Sequence, residues 1–435
     1  MTEYTIKGGQ PVKGSIHCYG AKNFATKAMV AACLADSPTI LYNMPPIGDV
    51  EITSNLIGTV GATTEWLDKT TMRINPAGIT SHIATMPDSR SNRIPILLLP
   101  ILLHKFGKAE IPRLDGCKIG KRSVDIHEAA VQAFGGQIDV SKESFKAHAD
   151  KKLKGTHFQL NYPSVGATET CLFLSVLAEG TSLITNAAIE PEIIELITQL
   201  RAMGAIIFLG PNREIKIQGV TTLKGTEKEI LGDRIEAASW ACLAGASDGE
   251  ITVSGINPHT LGNFLSTFRQ IGGGYAFKNN SLVFYREEAL RPIMLETDVY
   301  PGFSTDWQQP FAVLMTQAEG ISVIHETVYE SRFGYTQTLN KLGARIQLSE
   351  ECLGSKCRFA HKGYEHSALI LGKTPLRAID TPLEVPDLRA GLAYVIAASI
   401  AEGTSRLTHC ERVERGYGNL IERLADFSID ITRSA

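Results

Sequence analysis

Two phrases alternate six times along the chain, and this repetition constrains the fold more than any other feature of the sequence. The first phrase is a helix that ends in small residues and turns directly into a strand: ACLADSPTILYN, LLHKFGKAEIPR, VLAEGTSLITNA, CLAGASDGEITVSG, LMTQAEGISVIHE and SIAEGTSRLTHC. The second phrase lies between these copies: LIGTVGATTEWL, AVQAFGGQIDVS, QLRAMGAIIFLG, TFRQIGGGYAFK, LNKLGARIQLS and RLADFSIDITR. Each phrase predicts a helix closed by a small residue and followed by an alternating strand.

The spacing of the second phrase sets the length of the repeating unit. Its small residues fall at Gly61, Gly135, Gly204, Gly272, Gly343 and Ser428, so one unit spans about 70 residues. Solenoid repeats are shorter, about 20–45 residues. The 435 residues also exceed the usual size of a single core. We therefore predict that three units close into one domain, with helices inside or beneath sheets, and that two such domains meet near residue 230.

Charge and hydropathy exclude several classes of protein. The chain carries 43 basic and 46 acidic side chains, a formal charge of −3, so no global field would hold nucleic acid or an anionic membrane. No run approaches the roughly 20 apolar residues that a membrane span needs, and the start, MTEYTIKGGQPVKG, lacks the apolar stretch of a signal peptide. We expect a cytoplasmic protein with no nucleic-acid or membrane partner.

The eight cysteines form no CxxC pair, and most lie in apolar helical segments. This pattern predicts buried thiols in a reducing cytoplasm. Cys352 and Cys357 are the only close pair, and His361 and His366 nearby raise the alternative of a zinc site. The glycine and charge content of the segment favours a surface hairpin without metal.

Lys22 follows an extended segment in YGAKNFATKAMV, where we predict a helix that begins near Asn23 with Asn23 as its cap. A cation at a helix N-terminus is unfavourable by a few tenths of a kcal/mol, and a bound anion would reverse that sign. A solvated lysine at a helix start explains the segment equally well.

Cys117 differs from the other cysteines because it lies in DGCKIGKRSVDIH, between glycines and close to two lysines and Arg122. Neighbouring cations stabilise a thiolate, and glycines permit a mobile loop. These features predict a reactive cysteine on a lid, although an inert thiol remains the alternative.

Two further segments of the first half are typical of anion sites. Arg93 precedes a strongly apolar helix in SNRIPILLLPILL. The segment NYPSVGATET places Ser164, Val165 and Gly166 before a helix that we expect to begin near Ala167 or Thr168. Backbone N–H groups in such a turn can hold a diphosphate, but an ordinary turn with a hydroxyl cap fits as well.

The second half contributes two aspartates at predicted helix starts, Asp306 in GFSTDWQQPF and Asp387 in EVPDLRAG. Such an aspartate is most often a cap. Arg389 lies in the first turn after Asp387, and Arg332 and Arg415 lie beside aromatic residues and glycine, where surface ion pairs are the alternative. Six cations fall at repeat junctions, where helix ends can converge: Lys22, Arg93, Arg122, Arg332, Arg389 and Arg415.

The motifs GAKN, DGCKIGKRSVDIH, PSVGATET, NAAIEPEI, GDRIEAASW, GFSTDWQQ, ETVYESRF, PDLRAG and ERGY occur in one order over nearly the whole chain. In this respect the sequence resembles the UDP-N-acetylglucosamine enolpyruvyl transferases. The resemblance implies a two-domain inverted α/β barrel of the EPSP synthase type with six βαβαββ repeats, three per domain. It implies a first domain of residues 22–231 that carries the Cys117 loop, a second domain of residues 1–21 and 232–435, and an active site in the cleft between them.

The resemblance also implies transfer of the enolpyruvyl group of phosphoenolpyruvate to the 3-hydroxyl of UDP-N-acetylglucosamine. This reaction releases phosphate and is the first committed step of peptidoglycan precursor synthesis. The resemblance further implies that the enzyme is a target of fosfomycin and that it needs no cofactor or metal. It requires an acid, a base and an anion clamp: Cys117 would be the acid and Asp306 the base, while Asp387 would relay a proton or cap a helix. The clamp on phosphoenolpyruvate would be Lys22, Arg122 and Arg415, with Arg93, Arg332 and Arg389 nearby. The nucleotide sugar would contact Asn23, Asp306, Val328, Ser164, Val165, Gly166, Arg122, Asp125, Ile126 and His127.

Four positions depart from the family pattern: Tyr19, Asp115, Ser123 and Tyr162 stand where serine, glycine, proline and, in some members, lysine are usual. The shikimate-pathway enolpyruvyl transferase is the nearest alternative, and the GAKN motif and cysteine loop argue against it. A paralogue in a specialised nucleotide-sugar pathway is a further possibility. The presence of both Cys117 and Asp306 argues against a catalytically silent nucleotide-sugar binder.

Overall fold

A computed structural model describes residues 2–86, 92–114, 124–141, 143–355 and 357–434. These residues form two compact units. The N-terminal unit comprises the described residues between Gly20 and Leu231, and the C-terminal unit comprises the residues up to Tyr19 together with those from Gly232 onward. None of the described helices combines the length and the apolar character needed to cross a lipid bilayer.

The secondary structure of the described residues alternates helices and short strands. The strands are β1 (Glu3–Gly8), β2 (Lys13–His17), β3 (Thr39–Tyr42), β4 (Thr63–Trp66), β5 (Met72–Asn75), β6 (Lys108–Pro112), β7 (Gln137–Val140), β8 (Ser144–His148), β9 (His157–Gln159), β10 (Thr181–Thr185), β11 (Ile206–Leu209), β12 (Ile215–Gln218), β13 (Glu227–Glu229), β14 (Glu250–Ser254), β15 (Gly273–Lys278), β16 (Ser281–Arg286), β17 (Met294–Glu296), β18 (Gly320–His325), β19 (Arg345–Ser349), β20 (Ser367–Gly372), β21 (Leu383–Glu384), β22 (Gly403–Thr408) and β23 (Asp430–Ser434). The α-helices are α1 (Lys22–Ala32), α2 (Gly48–Thr59), α3 (Leu98–Phe106), α4 (Asp125–Ala133), α5 (Val165–Ser175), α6 (Pro191–Ala202), α7 (Arg234–Ser247), α8 (Gly262–Gln270), α9 (Gln308–Met315), α10 (Thr336–Lys341), α11 (Leu388–Ile400), α12 (Glu411–Glu414) and α13 (Leu420–Arg423). Two 3₁₀ turns, Ile94–Leu97 and Pro258–Leu261, precede α3 and α8.

The N-terminal unit contains three sheets among its described residues, with strand orders β13-β3-β5-β4, β6-β8-β7 and β11-β12-β10-β9. Each sheet joins an antiparallel hairpin to the strand that follows the first helix of a repeat. An extra parallel neighbour is added by β13 beside β3 and by β9 beside β10, and Ile83 forms a parallel bridge to Glu110 on β6. These sheets confirm the predicted repeat.

The described residues of the C-terminal unit form three sheets as well, with orders β15-β16-β14-β2, β17-β18-β20-β19 and β21-β22-β1-β23. In the last of these sheets, β1 lies between β22 and β23 and pairs antiparallel with both. Tyr4 is the partner of Leu407 on one side and of Arg433 on the other. The start of the chain therefore supplies the strand that completes the sixth repeat.

Three helices at the centre of the C-terminal unit, α7, α9 and α11, pack against one another. Every residue of α9 is buried, and so are nearly all residues of the other two. A helix that is apolar on all sides belongs in an interior, and the small residues of RIEAASWACLAGAS in α7 let its neighbours approach closely. Trp240 on α7 is fully buried, and truncation of such a residue to alanine costs about 3–5 kcal/mol.

Two predicted helix starts need correction: α1 begins near Asn23 as expected, but Asn23 is not its cap, and α5 begins two residues before Ala167. Helix α1 begins at Lys22 with Ala21 as its N-cap, so Asn23 lies inside the first turn. Ala21 is extended there because its N–H donates to Leu231 O at 2.7 Å, which leaves the helix free to begin at the next residue. Helix α5 begins at Val165 rather than near Ala167, because Ser164 Oγ accepts from Ala167 N at 3.4 Å and so caps the helix at residue 164.

Candidate active site

Asp306 is held between two buried arginines of the C-terminal unit. Arg332 Nη2 donates to Asp306 Oδ1 at 2.6 Å, and Arg389 Nε donates to Oδ2 at 3.2 Å. The arginine side chains are 4% and 8% exposed, against 21% for Asp306. The carboxylate is thus fixed in place by one guanidinium on each oxygen, and one side of it still reaches solvent.

Both guanidiniums keep their charge despite their burial. Burial disfavours the charged form of Arg332, but the carboxylates of Asp306 and Glu326 outweigh that effect and raise its pKa. Burial likewise opposes the charge of Arg389, and Tyr417 and Asp306 outweigh it, so that this pKa is also raised. The Tyr417 hydroxyl accepts from Arg389 Nη1 at 2.6 Å. Planar guanidiniums of this kind suit carboxylate and phosphate groups.

The sequence patterns do not single out Glu326, which is fully buried directly after the end of β18. Its Oε1 accepts from the backbone N–H groups of Val328 at 2.8 Å and Tyr329 at 3.1 Å. Its Oε2 accepts from Thr305 Oγ1 at 2.9 Å and Gln308 Nε2 at 2.7 Å. One carboxylate therefore joins the segment around Val328 to the segment around Asp306, and its position within ETVYESRF was the only available signal.

Asp387 caps α11, as its sequence position suggested. Its Oδ1 accepts from Arg389 N at 2.9 Å and Ala390 N at 3.1 Å, so the cap fixes the backbone that carries Arg389. Its charge is among those that raise the pKa of Arg332. Arg415 follows α12 and is half-buried.

Around His127, the N-terminal unit brings several predicted residues together. His127 is buried, and its Nδ1 lies 2.8 Å from Thr170 Oγ1. Burial and then the charge of Arg93 lower the pKa of His127 to about 4, while Asp125 opposes them. A Cβ placed on Gly166 would lie 3.3 Å from the His127 ring, so the first turn of α5 runs alongside an imidazole that is neutral at pH 7.

A second polar group of the N-terminal unit surrounds Lys22. Lys22 Nζ donates to the buried Asp49 carboxylate at 2.9 Å. Farther along α1, burial lowers the pKa of Lys27, although Glu169 opposes this effect. Burial raises the pKa of Glu169 on α5 to about 7, although Lys27 opposes it. No sequence signal identifies the Lys27–Glu169 pair, because a single lysine in an apolar helix is normally a solvated residue.

Comparison with known proteins shows the family to which this chain belongs. The family model of EPSP synthase (3-phosphoshikimate 1-carboxyvinyltransferase) matches residues 6–424. A protein of Protochlamydia amoebophila named UDP-N-acetylglucosamine 1-carboxyvinyltransferase is 44% identical over 99% of this chain and 94% of its own length. A protein of the same name from Chlamydia muridarum is 45% identical over 98% of this chain and 97% of its own. The chain belongs to the EPSP synthase family, among the UDP-N-acetylglucosamine 1-carboxyvinyltransferases.

Solved structures of this enolpyruvyl transferase family share the fold. The enolpyruvyl transferase NikO from Streptomyces tendae has a TM-score of 0.87 at 21% identity, covering 100% of this chain and 99% of its own. EPSP synthase from Acinetobacter baumannii has a TM-score of 0.72 at 17% identity, covering 99% and 100%. The predicted fold class and family are therefore confirmed.

The structure brings together some of the predicted enolpyruvyl transferase site residues. Within the C-terminal unit it joins Asp306 to Arg332 and Arg389. Within the N-terminal unit it groups Arg93, Asp125 and His127, with the first turn of α5 beside the imidazole. Some of the predicted residues lie outside the described part of the chain: Cys117, Arg122, and the departures Asp115 and Ser123.

Proposed function

We propose that this enolpyruvyl transferase moves the enolpyruvyl group of phosphoenolpyruvate to the 3-hydroxyl of UDP-N-acetylglucosamine and releases phosphate, in the first committed step of peptidoglycan precursor synthesis. The names of the 44% and 45% identical relatives support this acceptor. The observation that carries the proposal is the Asp306 carboxylate fixed between Arg332 and Arg389, which combines a base with fixed positive charge.

The proposed reaction is an addition followed by an elimination. In the addition, the sugar oxygen bonds to the phosphate-bearing carbon of phosphoenolpyruvate, the methylene carbon gains a proton, and the hydroxyl loses its own. In the elimination, the carbon–oxygen bond to phosphate breaks and the new methyl group returns a proton. Cys117, outside the described residues, is the proposed donor to the methylene carbon, and Lys22, Arg122 and Arg415 are the proposed clamp on the anionic substrate.

Asp306 is the proposed base for the sugar hydroxyl. An ionised carboxylate offers about four lone-pair positions, and each oxygen of Asp306 already accepts from one guanidinium. Asp306 remains partly exposed, and a substrate hydroxyl could approach it from the solvent side. Because two buried arginines hold the carboxylate, little reorganisation is needed when the proton arrives.

The nucleotide is the proposed ligand of the N-terminal unit. The backbone N–H groups of Ser164, Val165 and Gly166 begin α5, and a helix N-terminus attracts a diphosphate. Asp125, Ile126 and His127 open α4 or lie in its first turn, and a neutral His127 offers the uridine a hydrogen bond without a charge. We also propose a cytoplasmic location, because both substrates are anions that do not cross membranes unaided.

A phosphate-release assay with phosphoenolpyruvate and UDP-N-acetylglucosamine tests the proposal. We expect Asp306→Asn to lower kcat by about 10²- to 10⁴-fold, the usual contribution of one general base, whereas Asp380→Asn, at an exposed position of the same unit, keeps full activity. Full activity of Asp306→Asn would remove this residue as the base.

Two further outcomes distinguish the alternatives. Phosphate release with shikimate 3-phosphate but not with UDP-N-acetylglucosamine would assign the acceptor to the shikimate-pathway enzyme. Calorimetric binding of the nucleotide sugar with no release of phosphate under any condition would indicate a silent binder.

A further inference from the structure

The hairpin between β19 and β20 differs from its counterparts in the other repeats. Its connection runs over residues 350–366, whereas β15 and β16 are joined by two residues, Asn279 and Asn280. The described part of this connection contains no helix or strand. A long connection without secondary structure is uncommon in a compact domain and is usually functional or a disordered or linker segment.

Three potential metal ligands, Cys357, His366 and His325, lie within 4.8 Å of one another where this connection returns to the sheet, with Cys352 bonded to Cys357 beside them. Cys352 and Cys357 form a disulfide, and both sulfurs face one imidazole nitrogen: His366 Nε2 lies 3.4 Å from Cys352 Sγ and 3.2 Å from Cys357 Sγ. A ring nitrogen of His325 on β18 lies within 4.8 Å of the Cys357 and His366 donor atoms. The predicted surface hairpin at this close pair is thus closed by a disulfide, which the sequence patterns did not predict.

Hydrogen bonds to the other ring nitrogens orient both imidazoles. His366 Nδ1 lies 2.6 Å from Tyr364 O, a carbonyl that can only accept, so Nδ1 carries the proton and Nε2 keeps its lone pair. His325 Nδ1 lies 2.8 Å from Ser367 Oγ, whose hydroxyl donates to Glu351 O at 2.7 Å. Ser367 therefore accepts from Nδ1–H of His325, which orients this ring. Metal-bound histidines are held in this way.

Packing brings the loop against His325. Both histidines are buried, with exposures of 1% and 0%, and their ring centroids lie 5.1 Å apart. A Cβ on Gly354 would overlap the His325 ring and the Glu296 carboxylate, so only glycine permits this approach. Glu296 also accepts from Ser355 N at 2.7 Å. The backbone of the loop therefore packs directly against the imidazole of His325.

We propose that Cys352, Cys357, His366 and His325 form a zinc site when the disulfide is reduced. Two thiolates and two imidazoles make a closed tetrahedral set of the structural type, with Zn–S of about 2.3 Å and Zn–N of about 2.0–2.1 Å. Such bond lengths separate neighbouring ligand atoms by about 3.5 Å, and the distances of 3.4 and 3.2 Å from His366 Nε2 to the two sulfurs fit this value.

The zinc site and the disulfide exclude each other. A dithiol reductant supplies two electrons and two protons to the sulfur–sulfur bond and becomes a disulfide itself. Zinc then displaces the two thiol protons and binds both sulfurs. Because His325 directly precedes Glu326, the ion would fasten the loop to the strand end that carries the candidate active site.

The test measures zinc uptake by the full-length chain. Protein reduced with a phosphine, which water converts to the phosphine oxide as the disulfide opens, is loaded with zinc, dialysed and analysed by mass spectrometry for metal. We expect about one tightly bound zinc per reduced chain and none per oxidised chain. Cobalt in place of zinc should give the intense ligand-field bands of a tetrahedral site and a thiolate charge-transfer band.

Three variants make the result specific. Cys357→Ser removes a ligand and should abolish stoichiometric uptake. Ser367→Ala removes the group that orients His325 and should weaken zinc binding about 10- to 100-fold. His361→Gln changes an exposed histidine of the same loop that lies outside the ligand set and should bind zinc like the parent.

Two results would overturn the proposal. One is a reduced parent chain that takes up no more zinc than Cys357→Ser. The other is unchanged affinity in Ser367→Ala together with a cobalt spectrum that lacks the thiolate band. Both measurements are independent of catalysis.

Discussion

Replacement of Glu326 by glutamine tests whether a buried carboxylate organises the candidate active site. Both of its oxygens face donors: the N–H groups of Val328 and Tyr329 at Oε1, and Thr305 Oγ1 and Gln308 Nε2 at Oε2. A glutamine side chain must point its own NH₂ group at one of these pairs. The substitution keeps the shape of the side chain and converts one acceptor into a donor.

The loss of stability is set by the more favourable of the two orientations of the glutamine amide. If the NH₂ group faces Thr305 and Gln308, the threonine hydroxyl can turn to accept, and one buried N–H of Gln308 is left without an acceptor. That costs about 1–3 kcal/mol, and the remaining bonds lose the added strength of a charged acceptor. We expect a loss of about 2–4 kcal/mol in the free energy of unfolding. For a unit of this size that corresponds to a fall of about 4–16 °C in Tm.

Thermal and urea unfolding followed by tryptophan fluorescence measures this loss. Two of the three tryptophans, Trp240 and Trp307, are buried in the C-terminal unit, so the signal reports chiefly on the unit that contains the mutation. Glu319→Gln, at an exposed position of that unit, is the matched control and should change stability by less than about 0.5 kcal/mol. If both variants unfold at the same midpoint as the parent, the argument from donor counting is wrong.

Three further predictions address other parts of the chain. Cys117→Ser should lower phosphate release by about 10²- to 10⁴-fold with an unchanged Tm, and fosfomycin should add covalently to the parent but not to this variant by mass spectrometry. Burial lowers the pKa of His104 to about 4 from its ordinary 6.5. Between these two pH values the unfolded chain therefore binds a proton at His104 that the folded chain does not bind, so stability that is present above pH 6.5 is lost as the pH falls towards 4. His104→Gln should reduce the difference between the urea midpoints at pH 7 and pH 5. An undiminished difference would contradict this prediction. Deletion of residues 2–8 removes β1 from between β22 and β23 and should unfold the C-terminal unit, which circular dichroism and limited proteolysis would show; a deletion variant that unfolds at the parental Tm would refute it.

The repeat was predictable because each copy contains the same local pattern of neighbouring residues. Helix, small residue and strand follow one another within each phrase, so local propensity alone identifies them. The completion of the sixth sheet was not predictable from pattern, since nothing near Tyr4 indicates that its partners are Leu407 and Arg433. The family resemblance implied that the first residues join the second domain, but it did not give the register.

Buried charge explains most of what sequence reasoning missed at the candidate site. Lys27 and Glu169 are separated along the chain and belong to different helices, α1 and α5. A sequence presents each as an ordinary charged residue, and their altered pKa values arise from burial that only the packed fold creates. Sequence reasoning missed Glu326 and His325 for a related reason: both are buried by the packed fold, and their partners Thr305, Gln308 and Ser367 lie on other segments.

Asp306 and Asp387 show how a small difference in position separates a chemical role from a structural one. Each precedes a helix in the sequence, and each was a candidate cap. Asp387 directly precedes the first residue of α11, so its carboxylate reaches the amides of Arg389 and Ala390. Asp306 lies one residue farther from its helix, since Trp307 occupies the N-cap position of α9. Its carboxylate therefore turns to Arg332 and Arg389 instead. Asparagine is as good a cap as aspartate, so the asparagine substitution should spare stability at Asp387, whereas at Asp306 it removes the charge that two buried guanidiniums require.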